Sequence, residues 1–146
     1  MYKFESSIYI NRPLQEVFDY CADPANQPKW QSGVESAGWT SEAPYGAGST
    51  LKTVTNFLGR KIEATLEITT WDPPRQVGYK ALGGPIPFEN TTILAAQDGG
   101  TLVTHQVQGE FGGLFKLAEG LVGKQAEKTI ETSNAALKLL LESGQS

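Results

Sequence analysis

Residues Arg12–Trp30 read RPLQEVFDYCADPANQPKW, and their spacing decides the architecture. Leu14, Val17, Phe18 and Cys21 recur at i, i+3, i+4 and i+7, the spacing of a helix with one buried face. Pro13 suits a helix's first turn, and Glu16 favours its N-terminal end. Pro24 stops that helix, and a second short helical turn is expected before Pro28. Asp23 and Asn26 read as helix-stop and turn residues. Trp30 then stands alone among prolines and amides. Two compatible readings account for it: an anchor that packs the short helices onto the rest of the protein, or a wall at the mouth of a cavity.

On the N-terminal side the period is two. In YKFESSIYI, Phe4, Ser6, Ile8 and Ile10 share one face, and Lys3, Glu5, Ser7 and Tyr9 the other. That is a strand with one side in the core. On the C-terminal side, Val34 to Glu110 is a run of strands and turns. LKTVTNF and RKIEATLEI flank Leu58-Gly59, a hairpin tip that pairs Phe57 with Arg60. Leu51, Thr53, Thr55 and Phe57 then share a face with Ile62, Ala64, Leu66 and Ile68. Lys52, Asn56, Lys61, Glu63 and Glu67 fall opposite, as a half-solvated antiparallel sheet requires. In WDPPRQVGYKAL, Val77, Tyr79 and Ala81 face inward. A second hairpin turns at Asp98-Gly99-Gly100. A loop of even length sets Phe88, Asn90, Thr92 and Leu94 beside Val103, His105 and Val107 and keeps Glu89 outside; an odd length would swap the faces.

The final element is a long helix from about Gly112 to Ser143. Phe115, Ala118, Val122, Ala126, Ile130, Ser133, Leu137 and Leu141 form its stripe, with Leu114, Leu117 and Leu121 flanking the first half. Gly120 and Gly123 each weaken it by about 1 kcal/mol relative to alanine, so a bend or loosened turn is expected there. No repeat or linker divides the chain, and one domain over residues 1–146 is expected. The fold class is α+β: a seven-stranded curved antiparallel sheet wrapped around the long C-terminal helix, with two short helices between strands 1 and 2.

This order of elements resembles the START-related polyketide cyclase/dehydrase-like (SRPBCC) superfamily, whose helix-grip fold is shared with the birch-pollen allergen. The resemblance covers essentially the whole chain. Its most specific part is RPLQEVFDYCADPANQPKW; WDPPRQVGY, DGGTLVTHQV and LVGK add to it. It implies an internal apolar cavity between sheet and long helix, opened near the short helices and loop tips. Members bind lipids, hormones or polyketides, and some are enzymes, so fold leaves activity open. No catalytic motif of the superfamily carries over residue by residue.

The chain has 146 residues and a formal net charge of −4. A chain of this length buries a full core without disulfides or metal. Its basic residues form no stripe, which argues against nucleic acid. No run approaches a membrane span. The start MYKFESSIYI has no secretory pattern, and Cys21 is a single thiol, so a cytoplasmic setting is expected. Cys21 itself reads as core.

His105 is the single histidine. It is a candidate ligand contact or general base, and its solitude argues against a histidine-based metal site. Tyr79, Asn90, Thr92, Thr53 and Thr55 bring polar groups to an apolar wall. The loops GGPIPF and GEFGG are connectors, or a pair that gates a cavity. The expected ligand-contacting set is Trp30, Phe57, Tyr79, Phe88, Asn90, Thr92 and His105, with Leu114, Leu117, Leu121 and Val122 from the first half of the helix. No cofactor, metal or catalytic residue is assigned. The favoured function is binding of a hydrophobic or amphipathic small molecule, lipid-, polyketide- or aromatic-like. The alternatives are a polyketide cyclase or dehydratase using the same cavity with His105 or Tyr79 moving protons, and an interaction module with a filled core. Oligomeric state is left open.

Overall fold

The structure is a computed structural model, and it describes residues 2–57, 59–83, 87–109 and 119–144. Strand β1 (Tyr2–Ile10) leads into helix α1 (Leu14–Ala22). A 3-10 turn (Pro24–Asn26) runs directly into α2 (Gln27–Trp30). Six strands follow: β2 (Val34–Trp39), β3 (Thr50–Phe57), β4 (Arg60–Asp72), β5 (Gln76–Gly83), β6 (Phe88–Gln97) and β7 (Gly100–Gly109). Helix α3 (Glu119–Ser143) closes the chain. The strands form one antiparallel sheet in the order β1-β7-β6-β5-β4-β3-β2, the helix-grip arrangement.

The second short helix extends past Pro28 and ends on Trp30. Pro28 lies in its first turn, where its missing N–H costs no hydrogen bond. The stop after α1 is built as its residues suggest: Asp23 Oδ1 accepts from Ala25 N at 3.0 Å, and Asn26 Nδ2 donates to the Tyr20 carbonyl at 3.2 Å.

Both predicted registers hold. Phe57 pairs with Arg60, Thr55 with Ile62, Thr53 with Ala64 and Leu51 with Leu66. In the second hairpin Gln97 pairs with Gly100, which leaves a two-residue loop of Asp98 (φ 49°) and Gly99 (φ 80°). Two successive positive φ angles are what a type I′ turn needs, and Asp-Gly supplies them. Leu94 then lies beside Val103 and Thr92 beside His105.

The tight core gathers where α1 and the C-terminal half of α3 cover the sheet. Ile10, Val17, Leu51, Ile68, Val77, Leu94, Val103, Leu137 and Leu141 are all essentially inaccessible. Leu137 and Leu141 fall one turn apart on the predicted stripe. Lys138 ties α3 to β1 by donating to the Tyr9 carbonyl at 2.6 Å.

Gly33 links α2 to β2 at φ +86°. A Cβ there would sit 2.6 Å from the Asn56 carbonyl oxygen, a backbone atom that cannot yield. Gly33→Ala is therefore expected to destabilise the protein by more than about 1 kcal/mol, read as a lower urea midpoint with unchanged slope. An unchanged midpoint would mean that this junction is not constrained.

Candidate functional site

A cavity of about 170 Å³ lies between the sheet and α3, beside α2. Its floor is one face of the sheet. Tyr79 on β5 is opposite Asn90 on β6, and Thr92, two residues on, is opposite His105 on β7. Thr55 of β3 and Val34 of β2 extend this wall. Cys21 of α1 and Trp30, Gln31 and Ser32 at the end of α2 form another. Thr129, Ile130, Ser133 and Asn134 of α3 complete it.

The wall at α2 is pinned from two sides. Ser32 N donates to Ser133 Oγ at 2.8 Å, and Ser133 in turn donates to the Thr129 carbonyl at 2.7 Å. The Trp30 and His105 rings stack with centroids 5.9 Å apart and planes 27° from parallel. Trp30 is therefore both an anchor and a wall. An outer groove lined by Pro28, Lys29, Asn56 and Ala136 shares Trp30, Gln31, Ser32 and Val34 with the inner cavity. The segment 30–34 is thus the partition between the two.

Five buried side-chain polar atoms lack a hydrogen-bond partner among the described residues: Tyr20 OH, Trp30 Nε1, Asn90 Oδ1, His105 Nε2 and Asn134 Oδ1. The last four belong to residues that line the cavity. Buried polar atoms are almost always satisfied, so these four exceptions set this part of the interior apart from the rest of the core.

His105 is 5% exposed, and its Nδ1 lies 3.1 Å from Thr92 Oγ1. Burial pushes its pKa down to about 4, and a hydrogen-bonding contact with the Asn134 side chain, outside strict hydrogen-bond geometry, opposes that fall. The imidazole is consequently neutral at physiological pH. Burial also pushes the Cys21 thiol up to about 12 and raises the Tyr79 phenol, so both keep their protons. The described lining residues include no Asp, Glu, Lys or Arg.

The buried imidazole has a consequence for stability. Its pKa is near 4 folded and 6.5 ordinarily. Above pH 6.5 both states are neutral and its contribution is constant. As pH falls from 6.5 towards 4, the unfolded chain gains a proton that the native one refuses. Stability is then lost, by roughly 3 kcal/mol at pH 4. Urea denaturation at pH 7.5 and 4.5 should show this loss, and His105→Phe should shrink it. Equal pH slopes for both proteins would mean that the native imidazole is freely protonated.

Of the residues expected from the sequence, Trp30, Tyr79, Asn90, Thr92 and His105 come together around the cavity. Phe57 and Phe88 do not line it. Phe57 is half-buried at the end of β3, and Phe88 lines a shallow groove with Lys80 and Pro87. Leu121 requires correction, because it stands 67% exposed. At about 100° per residue it is turned roughly 160° around the helix from buried Leu137. Leu114, Leu117, the side chain of Val122 and most of the two glycine loops lie outside the described residues. The helix instead contributes Thr129, Ile130, Ser133 and Asn134, about two to three turns beyond Val122. A signal was present: Ser133 occupies a stripe position where an apolar residue would seal the core.

A family model described as polyketide cyclase / dehydrase and lipid transport matches residues 1–142. The chain belongs to this family. Among curated relatives, an uncharacterized protein of Mycobacterium tuberculosis is 27% identical over 79 residues, 54% of this chain and 46% of the relative. The match thus spans about half the length of that relative. Among solved structures, a Thermus thermophilus protein superposes with a TM-score of 0.86 at 21% identity, covering 99% of this chain and all of the other. A START superfamily protein from Mycobacterium smegmatis gives 0.80 at 15% identity, with 97% of each chain covered. At these identities the superpositions establish the shared fold.

Proposed function

We propose that this family member binds a hydrophobic or amphipathic small molecule in the cavity between the sheet and α3. One observation carries the reading: an interior space of about 170 Å³ walled by Trp30, Tyr79, Val34 and Ile130, with no charged side chain among its described lining residues. Apolar contact supplies the bulk of the binding, and polar side chains of the lining orient the molecule. The unpaired, buried Cys21 suits a reducing compartment, so the setting we assign is the cytoplasm.

A second reading, an enzyme of the cyclase or dehydratase type, draws on the family description and on His105 in the cavity wall. A base with a pKa near 4 is poorly matched to proton abstraction at neutral pH, which favours binding over turnover. Native mass spectrometry of protein purified from its source cells tests the proposal. A small molecule should leave with denaturation. Protein that arrives empty, and whose cavity residues show no NMR shift with any uncharged aromatic probe, would refute it. Turnover of a released molecule that disappears in His105→Phe would favour the enzyme.

A further inference from the structure

The inner cavity is closed on one side by a thin wall. Trp30, Gln31, Ser32 and Val34 line both the cavity and the outer groove. Trp30 is buried, whereas Gln31, Ser32 and Val34 are half-buried, so there the wall is a single layer of residues. It is held at every residue from 31 to 34. Gln31 N donates to the Gln27 carbonyl at 2.8 Å, Ser32 N to Ser133 Oγ at 2.8 Å and Val34 N to the Gln31 carbonyl at 3.2 Å. The Gly33 carbonyl accepts from Asn56 N at 2.7 Å. These bonds tie the segment to α2, α3 and β3 at once, so it is a fixed wall.

A fixed wall makes the space behind it a limit on size. An engineered apolar cavity of about 150 Å³ holds benzene. A space of about 170 Å³ therefore suits one ring with a short substituent. A longer molecule would have room only on the far side of the wall, in the groove of about 450 Å³. A charged group would lose its water without meeting a counter-charge among the described lining residues, which disfavours it strongly.

We propose that the partition formed by residues 30–34 determines the specificity of the cavity: it restricts the occupant to an uncharged molecule of one ring with a short substituent, and it bars longer molecules from reaching into the outer groove. This deepens the small-molecule reading and rests on it. Long acyl chains and multi-ring molecules fall outside the class, although the family description names lipid transport and polyketide chemistry. Gln31 and Val34 set the limit with their side chains, since both are half-buried between the two spaces. Trimming either leaves the backbone bonds of the wall in place.

Three probes test the inference on the intact protein by NMR titration at pH 7: 4-methylphenol, 4-pentylphenol and 4-methylbenzoate. Each added CH₂ that finds apolar contact raises affinity about fourfold. In the unaltered protein the trend is expected to reverse, with 4-pentylphenol bound at least about tenfold more weakly than 4-methylphenol, because the extra chain overfills the space. 4-Methylbenzoate should also bind at least about tenfold more weakly, through the cost of burying its charge. Val34→Ala and Gln31→Ala should each raise the affinity of 4-pentylphenol relative to 4-methylphenol by about tenfold or more, as the chain gains a path to the groove. If 4-pentylphenol binds the unaltered protein as tightly as 4-methylphenol, the wall yields and this inference falls, while the binding reading stands. If 4-methylbenzoate binds most tightly, the uncharged class is wrong. Continued rejection of 4-pentylphenol by both variants would place the barrier elsewhere and overturn the assignment to the partition. If neither phenol binds, the binding reading fails as well.

Discussion

Trp30→Ala is expected to lower the unfolding free energy by about 3–5 kcal/mol, the range for large aromatic truncations in packed sites. For a chain of 146 residues this corresponds to a fall in Tm of roughly 10 °C or more. The ring is 5% exposed, stacks on His105 and stands between the inner cavity and the outer groove. Its loss joins the two spaces and admits water to the imidazole. Two readouts should therefore move together. Thermal unfolding should shift down, and the His105 pKa should rise from about 4 towards 6.5, because burial is what depresses it. Trp30→Phe should recover part of both. An unchanged melting temperature would show that the ring is a passive wall.

Ile130→Trp should weaken binding of a co-purified ligand, or of an uncharged aromatic probe that binds the unaltered protein, by about a hundredfold or more while Tm stays within a few degrees. Ile130 is half-buried on α3, so a larger ring there has room to turn towards the cavity without displacing the core at Leu137 and Leu141. A hundredfold loss corresponds to about 2.7 kcal/mol, less than the apolar contact of a fully buried ring provides. Leu121→Trp is the matched control. Leu121 is 67% exposed, so the same bulk added there should leave affinity unchanged. Binding that survives Ile130→Trp would place the ligand outside this cavity. Collapse of the fold in that variant would show the space to be tighter than its volume indicates, and titration of Ile130→Phe with the same ligand or probe then decides the matter.

Strand pairing was legible because it rests on local rules. Phe57–Arg60 and Gln97–Gly100 follow from two-residue turns between alternating runs. The charged outer faces, with Lys52 near Glu63 and Lys61 near Glu35, leave a one-residue slip no favourable alternative. The phase of α3 was legible over its second half, where a narrow stripe places Leu137 and Leu141 inward. Over the first half, leucines surround the stripe, and periodicity alone could not say which of them face the sheet. Leu121 was lost to that ambiguity.

The site divides in the same way. Thr55, Tyr79, Asn90, Thr92 and His105 sit on strands whose inward face alternation had already identified. Asn134 was invisible in the sequence, since a polar residue on a helix reads as solvated until its neighbours are known. Its partner Ser6 is 128 residues away. Strand faces, turns, the stop after α1 and the stripe of α3 are thus properties of the amino-acid order, because neighbouring residues alone set them. The tertiary structure decided how far α3 stands off the sheet, and with it the 170 Å³ left between Ser133 and His105. Residues from distant parts of the chain line that space only because the sheet curves under the helix, a distance that no local period encodes.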